Sequence, residues 1–144
     1  MDISTPAFQD HGSIPQKYTC QGEDVSPALR ISDVPQGTKS FALIVDDPDA
    51  PSGIFVHWVA WNIPGNTQEI EEGKSLGNQG RNDFGQEGYR GPCPPKGKAH
   101  HYHFKMYALD TTLKLHPQAS KLELEDAMKG HILATSLIIG FFQR

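Results

Sequence analysis

Pro6, Pro15, Pro27 and Pro35 interleave with Gly12, Gly22 and Gly37, and this punctuation cuts the first forty residues into pieces too short for helices. The chain holds 11 prolines and 14 glycines along 144 residues, which favours short strands joined by turns over a helical bundle. A mainly β fold follows. The length suits one ordinary domain, residues 1–144, with a core of its own.

Residues 39–45 (Lys-Ser-Phe-Ala-Leu-Ile-Val) are almost continuously apolar, as expected of a central strand covered on both faces. Residues 46–53, rich in Asp, Pro and Gly, read as a turn. In the next strand, residues 54–63, His57, Val59, Trp61 and Ile63 alternate against Trp58, Ala60 and Asn62. Residues 64–88 form a polar stretch with little periodicity, and loops of that length are either functional or mobile. Ser120 and Glu123 form a capping-box pattern ahead of Leu124, Ala127, Met128, His131 and Ile132, which share one helical face and mark the one helix the sequence predicts. Residues 135–142 close the chain as an apolar strand.

The chemistry concentrates in residues 88–103, where a Gly/Pro-rich turn runs into a strand opening with His100, His101, Tyr102 and His103. Because side chains alternate along a strand, His100, Tyr102, Phe104 and Met106 share one face, and His101, His103, Lys105 and Tyr107 the other. His57 joins His100 and Tyr102 as a candidate donor to an anion, with Asp47 expected to fix the His57 tautomer. The turn adds backbone N–H groups at Gly91, Cys93 and Lys96, since Pro92, Pro94 and Pro95 have none.

Other chemistries fit less well. A net charge of −4 with no basic stripe argues against nucleic acid or membrane adhesion by bulk charge. Five residues, not four, separate Gly91 from Gly97, and Ala99 stands where a phosphate-binding P-loop needs Ser or Thr. His101 and His103 share a strand face but no third ligand follows, so no metal is expected. Cys20 and Cys93 lie far apart without metal or redox spacing, and no disulfide is expected between them. Nothing argues a lowered pKa for Cys93, and Ser52 lacks a nucleophile elbow. The N-terminal residues lack the features of a signal peptide and no apolar run reaches spanning length, which leads to the expectation of a soluble, cytoplasmic protein.

Asp47-Pro48-Asp49-Ala50-Pro51, the strand with His57-Trp58, and the loop from Tyr89 through Arg90-Gly91-Pro92-Cys93-Pro94-Pro95-Lys96-Gly97 to His100-His101-Tyr102 resemble the phosphatidylethanolamine-binding protein family, which includes Raf kinase inhibitor protein. The chain looks like its shorter bacterial and archaeal branch. The resemblance implies two antiparallel sheets with Greek-key connections, few helices, and a small anion pocket at one end. By motif match, Asp47, His57, Tyr89, Gly91, Pro92, Cys93, His100 and Tyr102 would form it. It implies phosphate-type ligands, including phosphoethanolamine head groups and phosphorylated side chains, and inhibition of kinases or proteases by binding. No cofactor is implied, and a homodimer is plausible by analogy. His101 stands where many eukaryotic members carry Arg, which makes the rim charge pH-dependent.

The expectation is therefore a non-catalytic binding protein. The alternative is a small enzyme using His57 or His100 as general acid/base on a phosphorylated or carbonyl substrate. A third reading is a protease inhibitor working through the polar loop of residues 73–88.

Overall fold

The computed structural model describes residues 1–144. Nine strands and one helix follow in the order β1 (Asp2–Ser4), β2 (Gly12–Ser13), β3 (Leu29–Ser32), β4 (Ser40–Asp47), β5 (Phe55–Pro64), β6 (Glu69–Ile70), β7 (Asn78–Gln79), β8 (His100–Leu109), α1 (Lys121–Met128) and β9 (Ile132–Phe142). A 3-10 turn, Gln16–Tyr18, follows β2. The strands make a three-stranded sheet, β1-β3-β6, and a six-stranded sheet, β2-β9-β8-β4-β5-β7. After the β4–β5 hairpin the chain returns on the far side of β4 as β8, a Greek-key crossover. All pairings are antiparallel except the two-residue β2–β9 contact, which is parallel.

The continuous apolar run does become the central strand, and all eight residues of β4 are buried. Phe41, Leu43 and Val45 face a core shared with Ile3, Leu29, Ile31 and Ile70 of the small sheet. Ala42 and Ile44 face the opposite way, into a second core capped by Leu124 and Met128 of α1. Each face of the large sheet thus has its own cover, which excludes water from both sides of β4.

Helix α1 starts where expected. Ser120 Oγ accepts from the Glu123 N–H and Glu123 Oε1 accepts from the Ser120 N–H, both at 3.2 Å. It ends earlier than the apolar pattern suggests: Gly130 takes a φ of 81°, and the chain turns into β9. His131 and Ile132 therefore leave the helical face. His131 Nδ1 lies 2.9 Å from Asp110 and Ile132 opens the last strand. The helix is tied to the sheet at buried Asp46, whose Oδ2 accepts from Lys105 and Lys121, each at 2.9 Å.

Strand β5 departs from the simple alternation. Val45 pairs with Trp58 and Asp46 with Val56, so two steps on β5 match one on β4 and His57 is left as the extra residue of a bulge. A second irregularity falls where Asn62 takes a φ of 55°. The outcome is that Val56, Val59 and Trp61 face α1, while Trp58, Ala60 and Ile63 face the other core. Ile63 thus changes sides relative to the alternation, and His57 is aimed separately from Val59 and Trp61.

The polar stretch 64–88 is pinned along its length. It contributes β6 and β7, and Gln79 Oε1 accepts from Trp58 Nε1 at 2.8 Å. The Asp83 N–H donates to Val56 O, while Asp83 Oδ2 accepts from the Val56 N–H at 2.7 Å. Buried Asn82 folds the following turn by accepting from the Phe84 and Gln86 N–H groups and donating to Gly88 O.

Candidate functional site

The ends of three neighbouring strands, β4, β5 and β8, meet the turn after β4 and the loop before β8 at one end of the large sheet. Between them lies a cavity of about 230 Å³. Asp47 and His57 and His100 and Tyr102 form its polar part, and Phe55, Phe84, Ala50, Pro51, Pro94 and Pro95 its apolar wall, with Cys93 at one side. The four polar residues are between 1% and 8% exposed, so their hydrogen-bond partners inside the protein fix how each is oriented.

Those partners assign the protons. His57 Nδ1 lies 2.7 Å from the Arg90 carbonyl, which only accepts, so His57 donates from Nδ1. His100 Nδ1 lies 2.6 Å from Asp47 Oδ2 and donates to that carboxylate. Asp47 was expected to orient His57, but the last residue of β4 leans towards β8 and takes His100, while the bulge carries His57 to the Arg90 carbonyl. In each ring Nε2 has no partner within the chain. Burial pushes the His57 pKa down, outweighing the Arg90 carbonyl and the Asp47, Asp24 and Asp83 carboxylates that favour the charged ring. Burial first, then Asp47, pushes the Tyr102 hydroxyl up, so it stays an O–H donor. The Tyr102 ring meets His57 edge-on, with centroids 5.3 Å apart.

The folded pKa of His57 is depressed, so below the ordinary histidine value of about 6.5 the unfolded chain takes up a proton that the folded chain refuses. The contribution of neutral His57 is present above that pH and is lost as pH falls towards the folded pKa. Urea unfolding between pH 8 and pH 5 should show the wild type losing stability more steeply than His57→Gln; equal slopes would contradict the assignment.

The loop before β8 is held by its own groups. Tyr89 does not line the cavity; its buried hydroxyl donates to Tyr18 O at 2.7 Å and its ring packs edge-on against Trp58. The Gly91 N–H, expected to face an anion, donates instead to Asp24 Oδ1 at 2.8 Å, and Arg90 Nε donates to the other oxygen of the same carboxylate. Pro92 is buried and its carbonyl accepts from the Cys20 N–H. Of the three backbone donors expected here, Cys93 alone lines the cavity. His101 points outward and is paired with Asp49 at 2.8 Å. No group of three or more His, Cys, Asp or Glu side chains is placed to hold a metal ion.

One expectation is overturned outright. Cys20 and Cys93 form a disulfide across 73 residues, with Cα atoms 5.4 Å apart. The same contacts that seat the loop on residues 18–24 bring the two sulfurs together, and no local spacing could have signalled it. The sequence reasoning also missed the apolar wall. Phe84 carried a usable signal as a lone aromatic in a polar stretch; its ring packs edge-on against Phe55 and His57, with the Arg90 guanidinium 5.2 Å from its centroid. Asp24, which holds the loop, carried none.

Residues 4–143 match the family model described as phosphatidylethanolamine-binding protein. The chain belongs to this family. It is 53% identical over 147 residues to a UPF0098 protein of Pyrococcus horikoshii, covering 95% of this chain and 74% of the relative. It is 50% identical over 151 residues to a UPF0098 protein of Methanothermobacter thermautotrophicus, covering 100% and 99%. A phosphatidylethanolamine-binding protein homologue of Chlamydia trachomatis superposes with a TM-score of 0.95 at 40% identity over 99% of this chain and 97% of that one. Escherichia coli YbcL, described as a member of the mammalian family, gives 0.92 at 34% identity over 99% and 98%. These relatives are bacterial and archaeal, as the sequence motifs implied, and the mainly β, two-sheet fold is that of the family. No helix is long and apolar enough to cross a membrane.

Proposed function

We propose that this phosphatidylethanolamine-binding protein family member is a non-catalytic binding protein whose cavity takes a phosphate-type anion, carried by phosphoethanolamine or another phosphorylated ligand. The observation that carries the reading is the convergence of three polar atoms without partners, His57 Nε2, His100 Nε2 and Tyr102 Oη, on one cavity with an otherwise apolar wall. No buried side-chain nitrogen or oxygen in the chain is wholly enclosed without a partner, so these three keep contact with the solvent of the cavity. Charge-assisted hydrogen bonds contribute about 1.5–3 kcal/mol each against an association cost of roughly 4–15 kcal/mol. A bare anion therefore binds weakly, and a larger ligand gains the rest from Phe55, Phe84 and the prolines. A phosphorylated side chain of a kinase or protease would make the protein an inhibitor of that enzyme by the same contacts.

Titration with phosphate and phosphoethanolamine, followed through the histidine ring signals by NMR near pH 6.5 and near pH 8, tests the reading. His57 and His100 should shift together, and less at the higher pH. If neither ring responds at millimolar ligand, the cavity is not an anion site.

The enzymatic alternative has one observation in its favour: a neutral His57 with a free Nε2 lone pair is the state a general base needs. Against it, the only hydroxyl lining the cavity is that of Tyr102, and the Cys93 sulfur is bound in the disulfide. Turnover of a phosphate or carboxylate ester that is lost in His57→Ala would favour the enzyme.

A further inference from the structure

The Arg90 carbonyl fixes the His57 proton on Nδ1, so in the neutral ring Nε2 offers a lone pair to the cavity and no donor. His100 is held the same way round by Asp47. The one side chain that donates in every state is Tyr102.

The charges facing His57 do not help an anion. Asp47 stands at the end of β4, Asp24 in the turn before β3, and Asp83 in the loop against Val56, and all three are carboxylates. From β8 the ring meets Tyr102, with His100 beyond it. No lysine or arginine lines the cavity. Arg90 donates from Nε to Asp24; Arg144 donates from Nε to Pro94 O, and its charge reaches the Tyr102 hydroxyl, where it favours an anion without changing what His57 offers. A fully ionised, donor-free anion would thus meet a lone pair and a carboxylate, both of which oppose it.

A phosphoryl group that carries a P–OH meets neither problem. Its hydroxyl donates to His57 Nε2 while its unprotonated oxygens accept from Tyr102. We infer that the cavity is selective for phosphoryl groups bearing a proton, that is phosphate and phosphomonoesters in their monoanionic form, over phosphodiesters and sulfate, and that His57 with its Arg90 carbonyl partner is the specificity determinant. The inference rests on the cavity being a phosphoryl site. It names a chemical class narrower than that reading: a diester such as a phospholipid head group has no P–OH to give.

Four small probes of similar size separate the cases: inorganic phosphate, methyl phosphate, dimethyl phosphate and sulfate. Titrated near pH 6.5 with the histidine ring signals as readout, phosphate and methyl phosphate should bind at least tenfold more tightly than dimethyl phosphate and sulfate. Their apparent affinity should fall as pH rises above the second phosphate ionisation, near 6 for esters, approaching tenfold per pH unit. In His57→Gln the side-chain amide supplies an N–H as well as an acceptor, so the preference should shrink to threefold or less while binding persists. A merely structural role for His57 would weaken all four probes together and leave their ratio unchanged, which overturns the inference. Wild-type discrimination below tenfold, with the anions still bound at the histidines, also overturns it and leaves the anion-site reading intact. Failure of all four probes to bind removes both.

Discussion

Alanine at Gly91 is expected to unseat the loop before β8 and abolish anion binding. A Cβ built there would overlap the Tyr18 carbonyl oxygen and stand 2.5 Å from Asp24 Oδ1. Neither atom is free to yield. Tyr18 O accepts from the Tyr89 hydroxyl, and Asp24 Oδ1 accepts from the Gly91 N–H itself. The loop must lift, which breaks both bonds, loosens Arg90 from Asp24 and moves the carbonyl that holds the His57 proton. Overpacking of a well-packed site costs about 1–3 kcal/mol, and we expect the upper end here because backbone atoms oppose the new methyl. Urea unfolding reads the stability loss, and phosphate titration of the histidine rings reads the binding loss. A stable Gly91→Ala protein with unchanged phosphate shifts would mean that the close approach of loop and turn is not needed.

Removing the disulfide should lower stability by about 2–4 kcal/mol, the usual range for a cross-link. The chain-entropy argument gives about 4 kcal/mol for a bridge across 73 residues, at the top of that range. The anion affinity should change little. Cys20 N–H to Pro92 O, Gly91 N–H to Asp24 and Tyr89 Oη to Tyr18 O hold the same loop on the same turn without the sulfurs. Comparing the oxidised protein with Cys20→Ser/Cys93→Ser by urea midpoint and by phosphate titration checks both halves. Loss of binding with little loss of stability would reverse the assignment and make the disulfide part of the site. The bridge also bears on the expected cytoplasmic location. Disulfides persist in oxidising compartments and in the cytosol of hyperthermophiles, and are kept reduced in most others.

The contact between residues 18–24 and 91–93 is one that no local pattern announces. Its physical basis is hydrogen bonding and covalent pairing across about seventy residues, and such pairings exist only once the chain is folded. The same holds for the Asp47–His100 pair, 53 residues apart.

Several features were legible because short-range physics carries them. An unbroken apolar run in β4 has to be covered on both faces, and it is. Alternation in β8 buries His100, Tyr102, Phe104 and Met106 and turns His101 outward, because a strand without bulges in that stretch cannot do otherwise. Ser120 and Glu123 satisfy each other's backbone groups within one helical turn.

What the sequence by itself determined was the mainly β class, the central strand, the start of the helix and the residue types that gather at one end of the sheet. Tertiary structure alone decided how those residues are used. A bulge, set by the pairing of β5 with β4, takes His57 out of the strand alternation. A carbonyl from a distant loop then fixes its proton, and a carboxylate expected to serve it serves His100 instead. Local periodicity can specify a face. Which ring nitrogen keeps a lone pair is decided by partners that only the folded chain brings within hydrogen-bond reach.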